Sequence, residues 1–112
     1  MEFDVTSAAD QGRSIVSIVG EFDIHVAPRV QAVVDPMIGD SVILVVDLSA
    51  VPFIDSSGLG VLVTTLKRVR EVGGTLDVVA AAPRVLKVFA ITGLDVVIPL
   101  HASLDEALAS LA

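Results

Sequence analysis

The chain of 112 residues has no cysteine, tryptophan or tyrosine, and only four phenylalanines. Without cysteine there is no disulfide, no thiolate nucleophile and no thiolate metal site. With so few aromatics, Val, Leu, Ile and Ala must fill the core. Basic residues are scarce as well. Seven Lys and Arg stand against fourteen Asp and Glu, a formal net charge of −7. That balance argues against a nucleic-acid surface built on phosphate contacts. No apolar run approaches the ~18 residues of a membrane span. The start, Met1-Glu-Phe-Asp4, is acidic and lacks the basic stretch and apolar segment of a signal peptide. The expectation is one cytoplasmic domain over residues 1–112, without membrane or nucleic-acid partners.

What is present is apolar: hydrophobic residues make up 54% of the chain, and their spacing assigns the elements. Val42-Ile-Leu-Val-Val-Asp47 is short and β-branched, a strand buried on both faces. Val51-Pro-Phe-Ile-Asp-Ser-Ser-Gly-Leu-Gly60 follows, and then Leu59, Leu62, Val63, Leu66 and Val69 recur at helical spacing. Ser56 and Ser57 therefore stand where a loop turns into a helix. A serine there can cap the helix. It also meets the free N–H groups and dipole that favour an added anion, so its hydroxyl invites phosphorylation. Gly58 and Gly60 cost the first turn about 1 kcal/mol each against Ala. A cap alone does not require them; glycines open the backbone to close approach by another surface. At 100° per residue, Leu59, Leu62, Val63, Leu66 and Val69 face inward. Ser57, Val61, Thr64 and Arg68 line the outer side, with Val61 as an exposed apolar contact for a partner.

The remaining elements follow in order. Residues 2–6 read as a first strand, and Asp10-Gln-Gly12 as a turn. Ser14-Ile-Val-Ser-Ile-Val19 pairs with the first strand as a hairpin. Pro28 fits the first position of a helix with Val30, Val33 and Val34 on its apolar face. Pro36 ends or breaks that helix near Asp35. The central strand spans 42–47, the second helix 57–72, with Gly73 as its C-cap. Lys67, Arg68 and Arg70 complement the dipole at its end. Thr75-Leu-Asp-Val-Val-Ala80 is the next strand, parallel to the central one. Pro83 starts a third helix, with Leu86 and Phe89 inward, and Gly93 ends it. Val96-Val-Ile98 is a short last strand. Ser103 and Glu106 form a capping box, followed by an apolar stripe of Leu104, Ala107, Leu108 and Leu111.

Catalytic chemistry finds no support. A serine nucleophile needs a base, and only His25 and His101 are present. There is no G-x-S-x-G elbow and no P-loop. His101 reads as a solvated loop residue, and His25 as a loop residue before a helix. Glu21, Asp23 and Asp55 are too few oxygens for a hard cation. Gly58-Leu-Gly60 is only a fragment of a dinucleotide fingerprint. No enzyme activity, cofactor or metal is expected.

The chain resembles the anti-sigma factor antagonists, the stand-alone STAS domains of bacteria. The resemblance covers nearly all of it. It rests on Gly20-Glu-Phe-Asp23, Val46-Asp-Leu48, Phe53-Ile-Asp-Ser-Ser-Gly-Leu-Gly60, Gly73-Gly74, and Phe89 with Thr92-Gly-Leu94. It implies an α/β fold, a mixed but largely parallel sheet of about five strands packed against about four helices. It also implies partner switching. The unmodified antagonist binds an anti-sigma factor that is a Ser/Thr kinase, and so frees the sigma factor. The kinase phosphorylates Ser56 and lets go, and a PP2C-type phosphatase resets the cycle. The partner surface expected around Ser56 comprises Glu21, Asp23, Asp55, Ser57, Gly58, Gly60, Val61, Thr64 and Arg68. The alternatives are an unphosphorylated STAS subunit of a transport or stress-sensing assembly, and a small-molecule or nucleotide binder resting on Gly58 and Gly60.

Overall fold

The computed structural model describes residues 2–112. Strands β1 (Asp4–Asp10) and β2 (Arg13–Val19) form an antiparallel hairpin. Gln11 and Gly12 turn it with φ of 49° and 83°, the positive values a tight two-residue loop requires. β3 (Ile43–Ala50), β4 (Thr75–Val79) and β5 (Leu100–His101) then add in parallel, so the spatial order β1-β2-β3-β4-β5 repeats the chain order. A parallel step needs a crossover. α1 (Ala27–Val34), α2 (Ser56–Glu71), and α3 (Pro83–Thr92) with α4 (Leu94–Val97) supply the three crossovers. α5 (Leu104–Ser110) ends the chain.

The crossovers pack on one face of the sheet and α5 on the other. Val16, Ile18, Leu44, Val46, Leu48, Leu76 and Val78 meet the side chains of α1, α2 and α3 in the main core. Ile15, Val45 and Val79 point the opposite way and meet Ala107, with Leu104, Leu108 and Leu111 around it. Alternation along β3 thus sends residues to both cores, which is why its sequence is an unbroken apolar run. Ser103 caps α5 by accepting the Glu106 amide at 3.1 Å. Arg13 donates to the carbonyl of Leu108 at the other end of that helix, at 2.9 Å.

The ends of the crossovers follow from local chemistry. α1 stops at Val34, and Pro36 lies in a 3-10 turn, Asp35–Met37. At the end of α2, Gly73 takes φ of 73°. Its amide bonds the Arg70 carbonyl at 3.1 Å, and the Gly74 amide bonds the Val69 carbonyl at 2.9 Å. This paired closure satisfies carbonyls the helix leaves open, and it needs a left-handed residue where Gly73 stands.

Three expectations are corrected. Val96-Val-Ile98 is not a strand: Leu94–Val97 form a helical turn, and pairing with β4 begins only at Leu100. The next ladder donor back along β5 would come from residue 99, which is a proline and has no N–H. In α3 it is Val85, not Leu86, that joins Phe89 in the core; Leu86 is 39% exposed. His101 is not a solvated loop residue. It lies on β5, and its Nε2 is 2.7 Å from Oδ2 of Asp77 on β4, both side chains largely buried.

Candidate functional site

The site forms where the exits of β2 and β3 come together. Beyond Val19 the chain stays beside β3 instead of leaving at once for α1. The Gly20 amide donates to Ala50, the Phe22 amide to Phe53, and the Asp55 amide to Phe22, at 3.1, 2.9 and 3.2 Å. Phe22 and Ile54 form a parallel bridge. The loop of Glu21, Asp23 and His25 is therefore held against the start of α2.

Asp55 fastens this junction. Its Oδ1 accepts the amides of Ser57 and Gly58 at 2.8 and 3.1 Å, and its Oδ2 accepts the amide of Ile24 at 3.1 Å. It is the N-cap of α2. The serines do not cap, contrary to the sequence expectation. Ser56 is the first helical residue and is exposed; Ser57 is half-buried. An aspartate outcompetes them because its two oxygens serve the helix and the loop together. Of the free amides expected at the helix start, those of Ser57 and Gly58 are taken by Asp55, and among the described residues none accepts the Ser56 amide.

Gly58 is buried, not open to a partner. A Cβ there would lie 2.7 Å from both the Phe22 carbonyl oxygen and Cγ1 of Ile54. The surface that approaches it closely is the chain's own. Gly60 has nothing within 4 Å of its missing Cβ and is exposed.

The helical phase differs from expectation by roughly 60° at 100° per residue. Gly58, Val61, Leu62, Thr65, Leu66 and Val69 are buried. Val61 is 7% exposed and Val63 is 39% exposed, the reverse of the expected roles. The cause is that the buried stripe includes a glycine and a threonine. Gly58 lets α2 approach Phe22, and Thr65 satisfies its hydroxyl on the Val61 carbonyl at 2.7 Å. A count of apolar residues passes over both.

Ser56, Leu59, Gly60, Val63 and Thr64 line one wall of a surface groove of about 480 Å³, with Thr92 and Leu94 of the α3–α4 corner opposite. The walls are mostly apolar, and Ser56, the first residue of α2, is among them. On the other side of the junction, Phe3, Glu21, Asp23, His25 and Val26 line a smaller hollow of about 190 Å³. The Asp23 side chain is engaged there, accepting the His25 amide at 2.9 Å. Arg84 lies over the ring of Phe53 at 5.0 Å.

Of the residues expected at a partner surface, the structure thus gathers Ser56, Gly60 and Thr64 on one face. Glu21 and Asp23 line the separate hollow on the neighbouring loop. Asp55 and Ser57 support the junction from within, and Gly58 and Val61 are buried. Arg68 pairs with Asp35 of the turn after α1 and so turns towards α1. Leu59 and Leu94 pack half-buried against the main core and also line the groove, and the sequence pattern assigns neither them nor Val63 and Thr92 to the site. Thr92 and Leu94 belong to the Thr92-Gly-Leu94 signature, which gave their family pattern but not their position across from Ser56.

The family and the fold have matches among known proteins. The STAS domain model matches residues 4–107. The anti-sigma-B factor antagonist of Bacillus subtilis (strain 168) is 33% identical over 102 residues, covering 91% of this chain and 94% of that protein. An anti-sigma factor antagonist from Mycobacterium paratuberculosis superposes with a TM-score of 0.88 at 35% identity, covering 97% of this chain and 93% of the other. The Bacillus cell fate determinant SpoIIAA in its phosphorylated form superposes with a TM-score of 0.74, covering 99% and 100% of the two chains. At 21% identity that likeness concerns the fold alone.

Proposed function

The chain belongs to the STAS domain family, and from that premise we propose that it is an anti-sigma factor antagonist switched by phosphorylation of Ser56. In its unmodified form it binds an anti-sigma factor and so frees the sigma factor. The anti-sigma factor is a Ser/Thr kinase. Ser56 Oγ attacks the γ-phosphorus of ATP, ADP leaves, and the hydroxyl proton passes to a base on the kinase. A PP2C-type phosphatase removes the phosphate by hydrolysis. The protein itself is a substrate in this cycle, not a catalyst.

One observation carries the reading: Ser56 is exposed and lines a mostly apolar groove, on a helix start already fixed by Asp55. A phosphate adds about −1.5 to −2 charges. The amides of Ser57, Gly58 and Leu59 are engaged, so the phosphate has no ready donors from them. Asp55, one residue away, adds repulsion. The junction is held without Ser56, so the fold survives modification. A partner closed over the groove would instead have to bury an unpaired dianion, which is strongly unfavourable. Phosphorylation then changes affinity rather than structure. SpoIIAA, which shares the fold, has itself been solved in a phosphorylated form.

The test is incubation with ATP and the anti-sigma kinases of the same genome, with phosphate mapped by mass spectrometry. The expected result is phosphate on Ser56. Calorimetric titration should find that Ser56→Ala binds the kinase and Ser56→Asp binds it more weakly. Phosphate on Ser57 alone, or equal affinities for the two variants, would overturn the electrostatic account. An unphosphorylated subunit of a transport or stress-sensing assembly would carry no phosphate at all.

A further inference from the structure

The sheet ends at β1, and among the described residues only β2 pairs with that strand. The two-residue turn at Gln11 and Gly12 makes Asp10 and Arg13 a hydrogen-bonded pair. Alternation then turns the backbone groups of Asp4, Thr6, Ala8 and Asp10 to β2, and those of Val5, Ser7 and Ala9 outward. The Val5 amide agrees with this, since it donates to its neighbour's side chain, Asp4 Oδ1, at 3.0 Å. Among the described residues no backbone group answers the outward N–H and C=O of Ser7 and Ala9. Thr6, Ser7, Ala8 and Ala9 are all exposed.

Sheet edges are commonly protected by proline, lysine or a bulge. β1 has no proline and no lysine, and its register with β2 runs unbroken. Its centre, Thr6-Ser7-Ala8-Ala9, is small and uncharged, so another backbone can come close. Charge is confined to the two ends, Asp4 and Asp10, which lie six residues apart on one face of the sheet. Arg13 is the one Lys or Arg of the hairpin, and it comes within 3.6 Å of Asp10. Its guanidinium is engaged by the carbonyls of Asp10 and Leu108, and the Asp10 side chain stays 47% exposed.

We propose that this edge binds an extended segment of a basic protein by strand addition. The outward groups of Val5, Ser7 and Ala9 are the template that such a backbone pairs with. On an added antiparallel strand, the residues opposite Asp4 and Asp10 also share one face, so the segment carries Lys or Arg at both. The net charge of −7 favours the same kind of segment. A second copy of this chain fits worse. The register that uses Val5, Ser7 and Ala9 of both copies sets Asp4 of each opposite Asp10 of the other, and like charges directly opposite are destabilising. No residue of β1 lines the groove beside Ser56, so binding here does not rest on the phosphorylation of Ser56.

The test uses the isotope-labelled full chain, titrated with the blocked peptide acetyl-Lys-Val-Thr-Val-Thr-Val-Lys-amide and with its counterpart carrying Glu at both ends. With the first peptide the Ser7 and Ala9 amides should shift and their hydrogen exchange should slow several-fold; with the second the effect should be much smaller. Asp4→Lys, a change at an exposed side chain, should weaken binding of the first peptide several-fold. Ser7→Pro removes an outward N–H that β2 does not use, so it should keep the fold by circular dichroism and lose the peptide. Four results would overturn the proposal. The Ser7 and Ala9 amides stay unmoved up to the solubility of the peptide; the two peptides act alike; the shifts appear around Ser56 instead; or these amides are already slow to exchange in the free chain, because a second copy or the chain itself covers the edge. None of these outcomes bears on whether Ser56 accepts phosphate.

Discussion

The carbonyl oxygen of Phe22 stands 2.7 Å from where a Cβ on Gly58 would be. This contact lets α2 start directly against the exit of β2, and so places Ser56 at the rim of its groove.

Gly58→Ala should cost about 1–3 kcal/mol or more, because backbone and Ile54 must both move to admit the methyl group. Gly60→Ala, two residues on and in open space, should instead gain up to about 1 kcal/mol from helix propensity. Urea unfolding of the two variants checks the contrast. Equal effects would mean the close approach at Gly58 is not needed.

Asp55→Ala removes the cap and the tie to Ile24 together. A cap alone is worth about 0.5–2 kcal/mol, so the loss should lie at the upper end. Amide exchange should speed up at Ile24 as well as at Ser57 and Gly58. Faster exchange confined to Ser57 and Gly58 would say the loop is held by other contacts.

Val61→Glu should unfold the protein, since it puts an unpaired carboxylate into the main core. Val63→Glu should leave stability within about 0.5 kcal/mol and abolish partner binding by charging the groove. Circular dichroism melts and a binding titration separate the two. If Val63→Glu folds and binds normally, the partner sits elsewhere.

His101→Ala leaves the Asp77 carboxylate buried without its partner and should cost about 1–3 kcal/mol. The double variant with Asp77→Ala should cost less than the two single changes added, because it leaves no orphaned group. Strict additivity in chemical denaturation would mean the pair does not interact.

Much of this was legible along the chain. β-branched runs such as 42–47 can satisfy their periodicity only as buried strands, and Pro36 and Gly73 end helices through their own backbone limits. The motif from Phe53 to Gly60 located the junction and Ser56 within it. Four things needed the folded molecule. Which face of α2 is buried depends on Gly58 and Thr65, whose burial rests on Phe22 and on an internal hydrogen bond. The cap is Asp55 and not a serine because Ile24, 31 residues earlier, shares its carboxylate. His101 is paired because Asp77, 24 residues earlier, lies on the adjoining strand. Thr92 and Leu94 face Ser56 only once the crossover of α3 and α4 is complete. Backbone preferences act over a few residues and can be read in order. Burial, pairing and the walls of a groove depend on what the fold brings from far along the chain, and no local pattern carries that information.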